Sequence, residues 1–524
     1  MSIALTPAAD SRFRKHLRRA EVYLSSRMTD QALVSLLAAS DAHPDHVQTR
    51  LRIADIHIAA GRHNEGRDQV LKAATGFIET PMVAVELVKR LGKINDSTSI
   101  VEIARQLPPP MWESANLLAE MSNQLSLVGA HELAEAFARA AVARDPDHPP
   151  ALSMMARMDM FFGRLDQAAV HVQRCLAISP LDPGSHLLAS RLRMPGGRER
   201  VERIQAVIGQ TQDAEALANL GYALHNELHD LKEYGPSWDA LMLGCRSKRQ
   251  ALGYSPAESA ALFDSLAGWT AAEAAVGDGW VDPALTPIFV IGMHRSGTTL
   301  SERVISGHSQ VIAGGETYDI TAALRRASGL HFRGESDPRA VQARAGFDYA
   351  RFGRDYLAGM RWRAGEYRFI TDKLPSNYFN VGFIARALPQ AKIIHVRRDP
   401  IDVGLSNLRT LFGTGCGYSY DLMDFVDYYR RYEALMDHWR AVLPGRILDL
   451  AYDDLVADPE AVARRMAEFC GLPFEPGMVK IEERSDAVAT ASAVMMRDGI
   501  RRDRGKLWKA YEQPLQPLIQ AFGG

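Results

Sequence analysis

Residues 287–300, PIFVIGMHRSGTTL, have the residue types and spacing of an anion cradle. An apolar, β-branched run (Ile288, Phe289, Val290, Ile291) reads as a buried strand, and the stretch after Thr299 reads as the start of a helix. A strand, a glycine-containing loop and a helix start together aim backbone N–H groups and the positive end of a helix dipole at one spot. Gly292 and Gly297 keep the spacing of a P-loop, G-x-x-x-x-G-K-[ST], but Thr298 stands where the lysine belongs. That lysine is what reaches the β/γ-phosphates of a nucleoside triphosphate. Arg295 is the loop's cation instead, and its planar fork suits an oxyanion such as a phosphosulfate. The plain alternative is a strand-to-helix turn in which the glycines serve only packing.

Three more polar clusters follow apolar, strand-like runs. Glu316, in Gly315-Glu316-Thr317, is a candidate general base for an acceptor hydroxyl, or else an ordinary first-turn acid. Lys373, in Thr371-Asp372-Lys373, could balance charge on a leaving oxygen, or else sit on the surface paired with Asp372. In HVRRDPIDVGLSNLR, Arg397 and Arg398 end a strand and Ser406 lies one helical stretch on, so that fork and hydroxyl could clamp a second phosphate. Asp399-Pro400 is a helix start, and Asp402 offers the alternative of a solvated ion-pair network. A lysine-free cradle with a separate second clamp suits a 3′-phosphorylated nucleotide, 3′-phosphoadenosine 5′-phosphosulfate (PAPS), better than ATP.

On these residues the C-terminal half resembles the PAPS-dependent sulfotransferases, and the whole chain is similar to bacterial tetratricopeptide-repeat sulfotransferases. The run Arg295–Thr299 matches the family's R/K-S-G-T-T loop, and Arg398 to Ser406 keeps its eight-residue spacing. Among animal enzymes, the tyrosylprotein sulfotransferases have the nearest site pattern. The resemblance implies a 5′-phosphosulfate at His294, Arg295, Ser296, Gly297, Thr298 and Thr299, and a 3′-phosphate at Arg398 and Ser406. It implies Glu316, Lys373 and Arg295 as the catalytic group. It further implies nucleotide contacts at Tyr452 and, in the basic tail, at Ser492, Arg497 and Lys506. His294 departs from the pattern, which has proline there, and GGET carries one acid where the animal enzymes carry two. No metal is implied.

The elements that must position these groups come from a chain of 524 residues, enough for two or three domains. Its 47% hydrophobic and 24% charged residues and net charge of −2 are an ordinary soluble globular balance, with no reason to expect nucleic acid. Four scattered cysteines suit a reducing compartment, and no run is apolar enough for a membrane span, so a cytoplasmic protein off the membrane is expected.

The N-terminal part reads as helix after helix with a period of 34: Pro146 to Pro180, and Gly129 to Gly163, while Gly61 to Gly163 is three periods, 102. This resembles the tetratricopeptide repeat, with one degenerate unit between Gly61 and Gly129. The expected fold is an all-helical repeat solenoid (1–212), a helical extension and linker (213–283), and a parallel α/β sulfotransferase-like domain (284–524). The repeat groove could take the acceptor, a peptide or a partner, or else serve as a dimerisation platform or spacer. Two other functions stay open at this stage: a non-catalytic repeat scaffold with a degenerate nucleotide site, and a P-loop kinase. The acceptor, whether protein tyrosine, glycan or small hydroxyl compound, and the oligomeric state are not legible.

Overall fold

A computed structural model describes residues 6–76, 78, 80–483 and 507–523. They form two compact units, one of Met1–Arg144 with Tyr318–Trp362 and one of Asp145–Thr317 with Arg363–Gly524. Among the described residues no helix is long and apolar enough to cross a membrane.

The first unit contains antiparallel-type helix pairs, Pro7–Ser25 with Thr29–Ala42, Val47–Ala59 with His63–Ala74, Pro81–Lys93 with Ser97–Gln106, and Ala115–Leu127 with His131–Arg144. The 34-residue register is visible in the backbone. The turns inside successive pairs place Arg27, Gly61, Asn95 and Gly129 in the left-handed region, each 34 residues after the last, and Gly163 continues the series in the second unit. The unit that looked degenerate is therefore a full helix pair, in which asparagine takes the turn that glycine takes at 61, 129 and 163. Asparagine tolerates that conformation better than most residues. Its side chain also works: Asn95 Oδ1 accepts from Arg325 Nη1 at 3.1 Å. Arg325 belongs to the stretch between the second and third strands, which packs in this unit. His63 and His331 stack at 5.6 Å, and Trp362 Nε1 donates to Ser97 Oγ at 3.1 Å.

The second unit starts with the pairs Pro149–Phe161 with Leu165–Ile178, Pro183–Arg191 with Gly197–Ile208, and Ala214–Asp230 with Tyr234–Leu252. These lead into strands β1 (Thr286–Gly292), β2 (Val311–Ile312), β3 (Phe369–Asp372), β4 (Lys392–Arg397) and β5 (Ile447–Ala451). All four pairings are parallel, in the order β2-β3-β1-β4-β5. In the central β1, Ile288, Phe289, Val290 and Ile291 are all fully buried, as an apolar run covered on both faces should be. The later helix pairs pack on the segment that follows β4: Leu187, Tyr222 and Leu241 share a core with Leu408 and Tyr420, and Tyr222 Oη donates to the Leu408 carbonyl at 2.7 Å.

Each unit buries a histidine that acid should expose. His63 and His225 are fully buried, and burial first, then Arg325 beside His63 and Arg409 beside His225, lowers each to about 3. The unfolded chain protonates them near the ordinary value of about 6.5. Folded-state values below the unfolded ones mean that stability is full above about pH 6.5 and falls as the pH drops toward about 3. Between pH 6.5 and about pH 5 the loss is about 2 kcal/mol per histidine. The urea midpoint at pH 5 should therefore lie below that at pH 7. Equal midpoints would show that these rings are hydrated in the folded state.

Candidate functional site

The sheet register delivers the polar clusters side by side. Gly292 at the end of β1 pairs with Val396 of β4, and Phe289 of β1 with Asp372 at the end of β3. Arg397 at the end of β4 pairs with Ala451 at the end of β5. The loops after these strands are therefore neighbours at one sheet edge, where ligands of open α/β sheets sit.

After β1, residues 293–297 form the cradle, and a helix, Thr298–Ile305, begins immediately beyond it. Arg295 has a φ of 71°, and Gly297 a φ of 108°. A Cβ on Gly297 would come within 2.3 Å of the Tyr452 ring, so glycine is required for both conformation and space. Tyr452, the first residue after β5, thus lies against the cradle, and the Arg398 guanidinium stands over its ring at 4.5 Å. Arg398 also faces Asp402 at 3.6 Å. The helix Pro400–Leu408 starts as expected at Asp399, whose Oδ1 accepts from the N–H groups of Ile401 and Asp402 at 2.9 and 3.1 Å.

Ser406, on that helix, reaches the cradle: Arg295 Nε donates to Ser406 Oγ at 3.1 Å. The two clusters read separately from the sequence are thus in direct contact. Burial, and then repulsion from Arg398, lowers Arg295 to about 10, still protonated at neutral pH. Two guanidinium groups close enough to repel one another mark a place for anions. Ser296 Oγ and Arg398 Nε are buried without a hydrogen-bond partner among the described residues. A nucleotide phosphate would satisfy both, so the residues present fit a donor of the PAPS class.

Glu316 and Lys373 form an ion pair, with Lys373 Nζ 2.5 Å from Glu316 Oε1. Lys373 is fully buried and bonded to Glu316, not to Asp372. Asp372 instead accepts from Thr317 Oγ1 at 2.9 Å and Asn377 Nδ2 at 3.1 Å. Glu316 keeps 41% of its side-chain surface open, as a group lining a pocket does. Burial by itself would raise Glu316. The charge and hydrogen bond of Lys373, with His294 and Arg295 adding to them, offset this and hold the carboxyl below its usual range. Glu316 is therefore ionised at neutral pH.

Several positioning groups carried no signal in the sequence. Glu302, on the helix after the cradle, accepts from Gly315 N at 3.0 Å and Thr371 Oγ1 at 2.6 Å, and Thr371 Oγ1 accepts from Gly314 N at 3.0 Å. This small network fixes the turn that presents Glu316. Asn407 donates to the His294 carbonyl at 2.7 Å. Deeper, Arg440, Asp449, His395 and Tyr432 form a chain of bonds, with His395 2.6 Å from Asp449 and 2.5 Å from the Tyr432 hydroxyl. Tyr432 in turn bonds the backbone of Met293, at the start of the cradle. His294 Nδ1 lies 3.1 Å from the Tyr418 hydroxyl. Thr298 and Thr299 are the first residues of the helix that follows the cradle. Ser492, Arg497 and Lys506 lie outside the described residues.

Residues 287–476 match the family model described as "Sulfotransferase family". Over 400 residues the chain is 30% identical to an uncharacterized protein of Aquifex aeolicus, covering 73% of this chain and 51% of that protein. It is 26% identical over 208 residues to protein-tyrosine sulfotransferase A of Caenorhabditis elegans, covering 37% of this chain and 52% of the relative. It is also 30% identical over 134 residues to an omega-hydroxy-beta-dihydromenaquinone-9 sulfotransferase of Mycobacterium bovis, covering 21% of this chain and 34% of the relative. The chain thus spans about half the length of the first two relatives and a third of the last. Residues 287–476 are thus similar to the sulfotransferase family, and helical repeats that resemble tetratricopeptide repeats precede them in the chain.

Proposed function

We propose that the protein transfers a sulfonate from PAPS to an acceptor hydroxyl. The observation that carries this reading is a lysine-free cradle bonded directly to a second basic clamp, with the Glu316–Lys373 pair beside them. Arg295 and the N–H groups of the cradle hold the 5′-phosphosulfate end, and Arg398, with Tyr452 beneath it, holds the 3′-phosphate. Glu316 takes the proton from the acceptor hydroxyl as its oxygen attacks sulfur. Lys373, released from Glu316 as that carboxylate is neutralised, follows the charge to the bridging oxygen of the leaving phosphate. Sulfur–oxygen bond formation and cleavage then need no change in net charge beyond this one proton. The names of two relatives point to a protein tyrosine and to a quinone derivative as acceptors, and both names are consistent with attack by a hydroxyl. The repeat helices are the natural surface for a larger acceptor.

Calorimetric titration with adenosine 3′,5′-bisphosphate, beside MgATP and 5′-AMP, tests the reading. Micromolar binding of the bisphosphate alone is the expected result. No binding, or a preference for MgATP, would sink it in favour of a scaffold or a kinase.

A further inference from the structure

We propose that His294 is the second group, beside Glu316, that touches the acceptor hydroxyl, donating a hydrogen bond from Nε2 to its oxygen. The inference rests on the sulfotransferase reading and extends it from the donor to the acceptor. His294 follows Met293 at the mouth of the cradle, next to Arg295, and its ring is held on several sides. Nδ1 lies 3.1 Å from the Tyr418 hydroxyl, the ring packs edge-on against Phe412 at 5.5 Å, and the backbone carbonyl is pinned by Asn407. Tyr418 is itself buried and stacked on Tyr428 at 3.7 Å, so the hydroxyl that meets Nδ1 is rigidly placed. In this proposal the Tyr418 hydroxyl is the donor to Nδ1, the arrangement that leaves the ring proton on Nε2.

Nε2 has no hydrogen-bond partner among the described residues, yet it is not among their buried, sealed polar atoms. The charged groups that act on the ring are Glu316, Lys373 and Arg295, the same three that surround the transferring sulfonate in the reading above. Burial keeps the ring neutral, lowering it to about 4, so it does not add a further cation to the cradle. A neutral donor there does what the cations cannot. The acceptor oxygen has one proton and two lone pairs. Glu316 takes the proton, one lone pair attacks sulfur, and Nε2–H binds the other, which aims the attack. The oxygen–sulfur bond forms, the bridging sulfur–oxygen bond breaks with its electron pair leaving on the 5′-phosphate, and the proton ends on Glu316.

His294→Ala and His294→Gln separate this role from nucleotide binding and from packing, because glutamine keeps an N–H donor at similar reach. The probes are adenosine 3′,5′-bisphosphate for binding and labelled PAPS with water as the acceptor for turnover, read as labelled sulfate. The expected result is unchanged bisphosphate affinity in both variants, turnover reduced about ten- to a hundredfold in His294→Ala, and most of it restored in His294→Gln. Equal losses in the two variants, no loss in His294→Ala, or a loss of bisphosphate affinity that matches the loss of turnover would each overturn the role. Failure of the unmodified protein to bind bisphosphate would overturn the sulfotransferase reading itself. Binding without any sulfate release by the unmodified protein would overturn the hydroxyl-positioning role while leaving the nucleotide site standing.

Discussion

Glu316→Gln should lower sulfonate turnover by about two to four orders of magnitude, the usual contribution of a positioned general base. Glutamine keeps the shape and can still accept a hydrogen bond from Lys373, but it cannot take a proton. The ion pair determines how the variant should be read. Lys373 is fully buried, and Glu316 is its counter-charge at 2.5 Å. Removing one partner of a buried pair leaves the other uncompensated and costs up to about 3–5 kcal/mol when both are fully enclosed. The charge left behind is Lys373, which is fully buried, so the penalty can approach that limit, and a melting curve of the variant must be read beside its turnover. Bisphosphate affinity is the internal control. The substitution removes a negative charge beside the anion site, so binding should hold or tighten while turnover collapses. A variant that binds bisphosphate normally and turns over at the unmodified rate would refute Glu316 as the base.

Arg398→Ala should weaken adenosine 3′,5′-bisphosphate by about a hundredfold or more. Hydrogen bonds to a charged group contribute about 1.5–3 kcal/mol each, and about 1.4 kcal/mol is tenfold in affinity. Arg398 has a side chain mostly shielded from water and an Nε without a partner among the described residues, so it loses little on binding a phosphate. Its seat over Tyr452 keeps the fork in plane before the ligand arrives. Arg398→Lys should recover only part of the loss, because an ammonium cannot reproduce the planar fork. Affinity for 5′-AMP, which lacks the 3′-phosphate, should be nearly the same in the unmodified protein and in Arg398→Ala. Titration of both ligands into both proteins decides the matter: a parallel loss for 5′-AMP would mean that Arg398 shapes the whole cradle and does not read the 3′-phosphate.

What the sequence made legible was local. The apolar run 288–291, the glycine spacing around Arg295 and the Asp399-Pro400 helix start each depend on a few adjacent residues, and each has its expected form. The 34-residue period was legible for a similar reason, since each turn imposes the same backbone conformation. Reading glycine alone missed Asn95, which meets that demand with a different side chain. The unread parts depend on residues far apart in the chain. Glu302 meets Gly315 and Thr371 only because helix and strands fold together, and nothing in LSERV distinguishes it from a surface acid. The bond from Arg295 to Ser406 crosses 111 positions. The packing of Arg325 and His331 on the early repeats joins residues more than 200 positions apart, through side chains that look like ordinary surface groups in the sequence.

The strand order has a consequence for how the protein is made. The helix pairs close over neighbouring residues and can form as they leave the ribosome. The central strand cannot. Thr286 of β1 pairs with Phe369, 83 positions later, and Ile288 with Lys392, 104 positions later. At about 5–20 residues per second, β1 waits about 5–20 s for β4 to be synthesised. Until β3 is made the run 288–291 is an apolar strand with neither edge paired, and until β4 is made one edge stays open, the form most prone to join a copy of itself. Yield of this protein should thus be limited by the nascent chain rather than by the finished fold, and slowing initiation or cooling the culture should help more than any stabilising surface substitution.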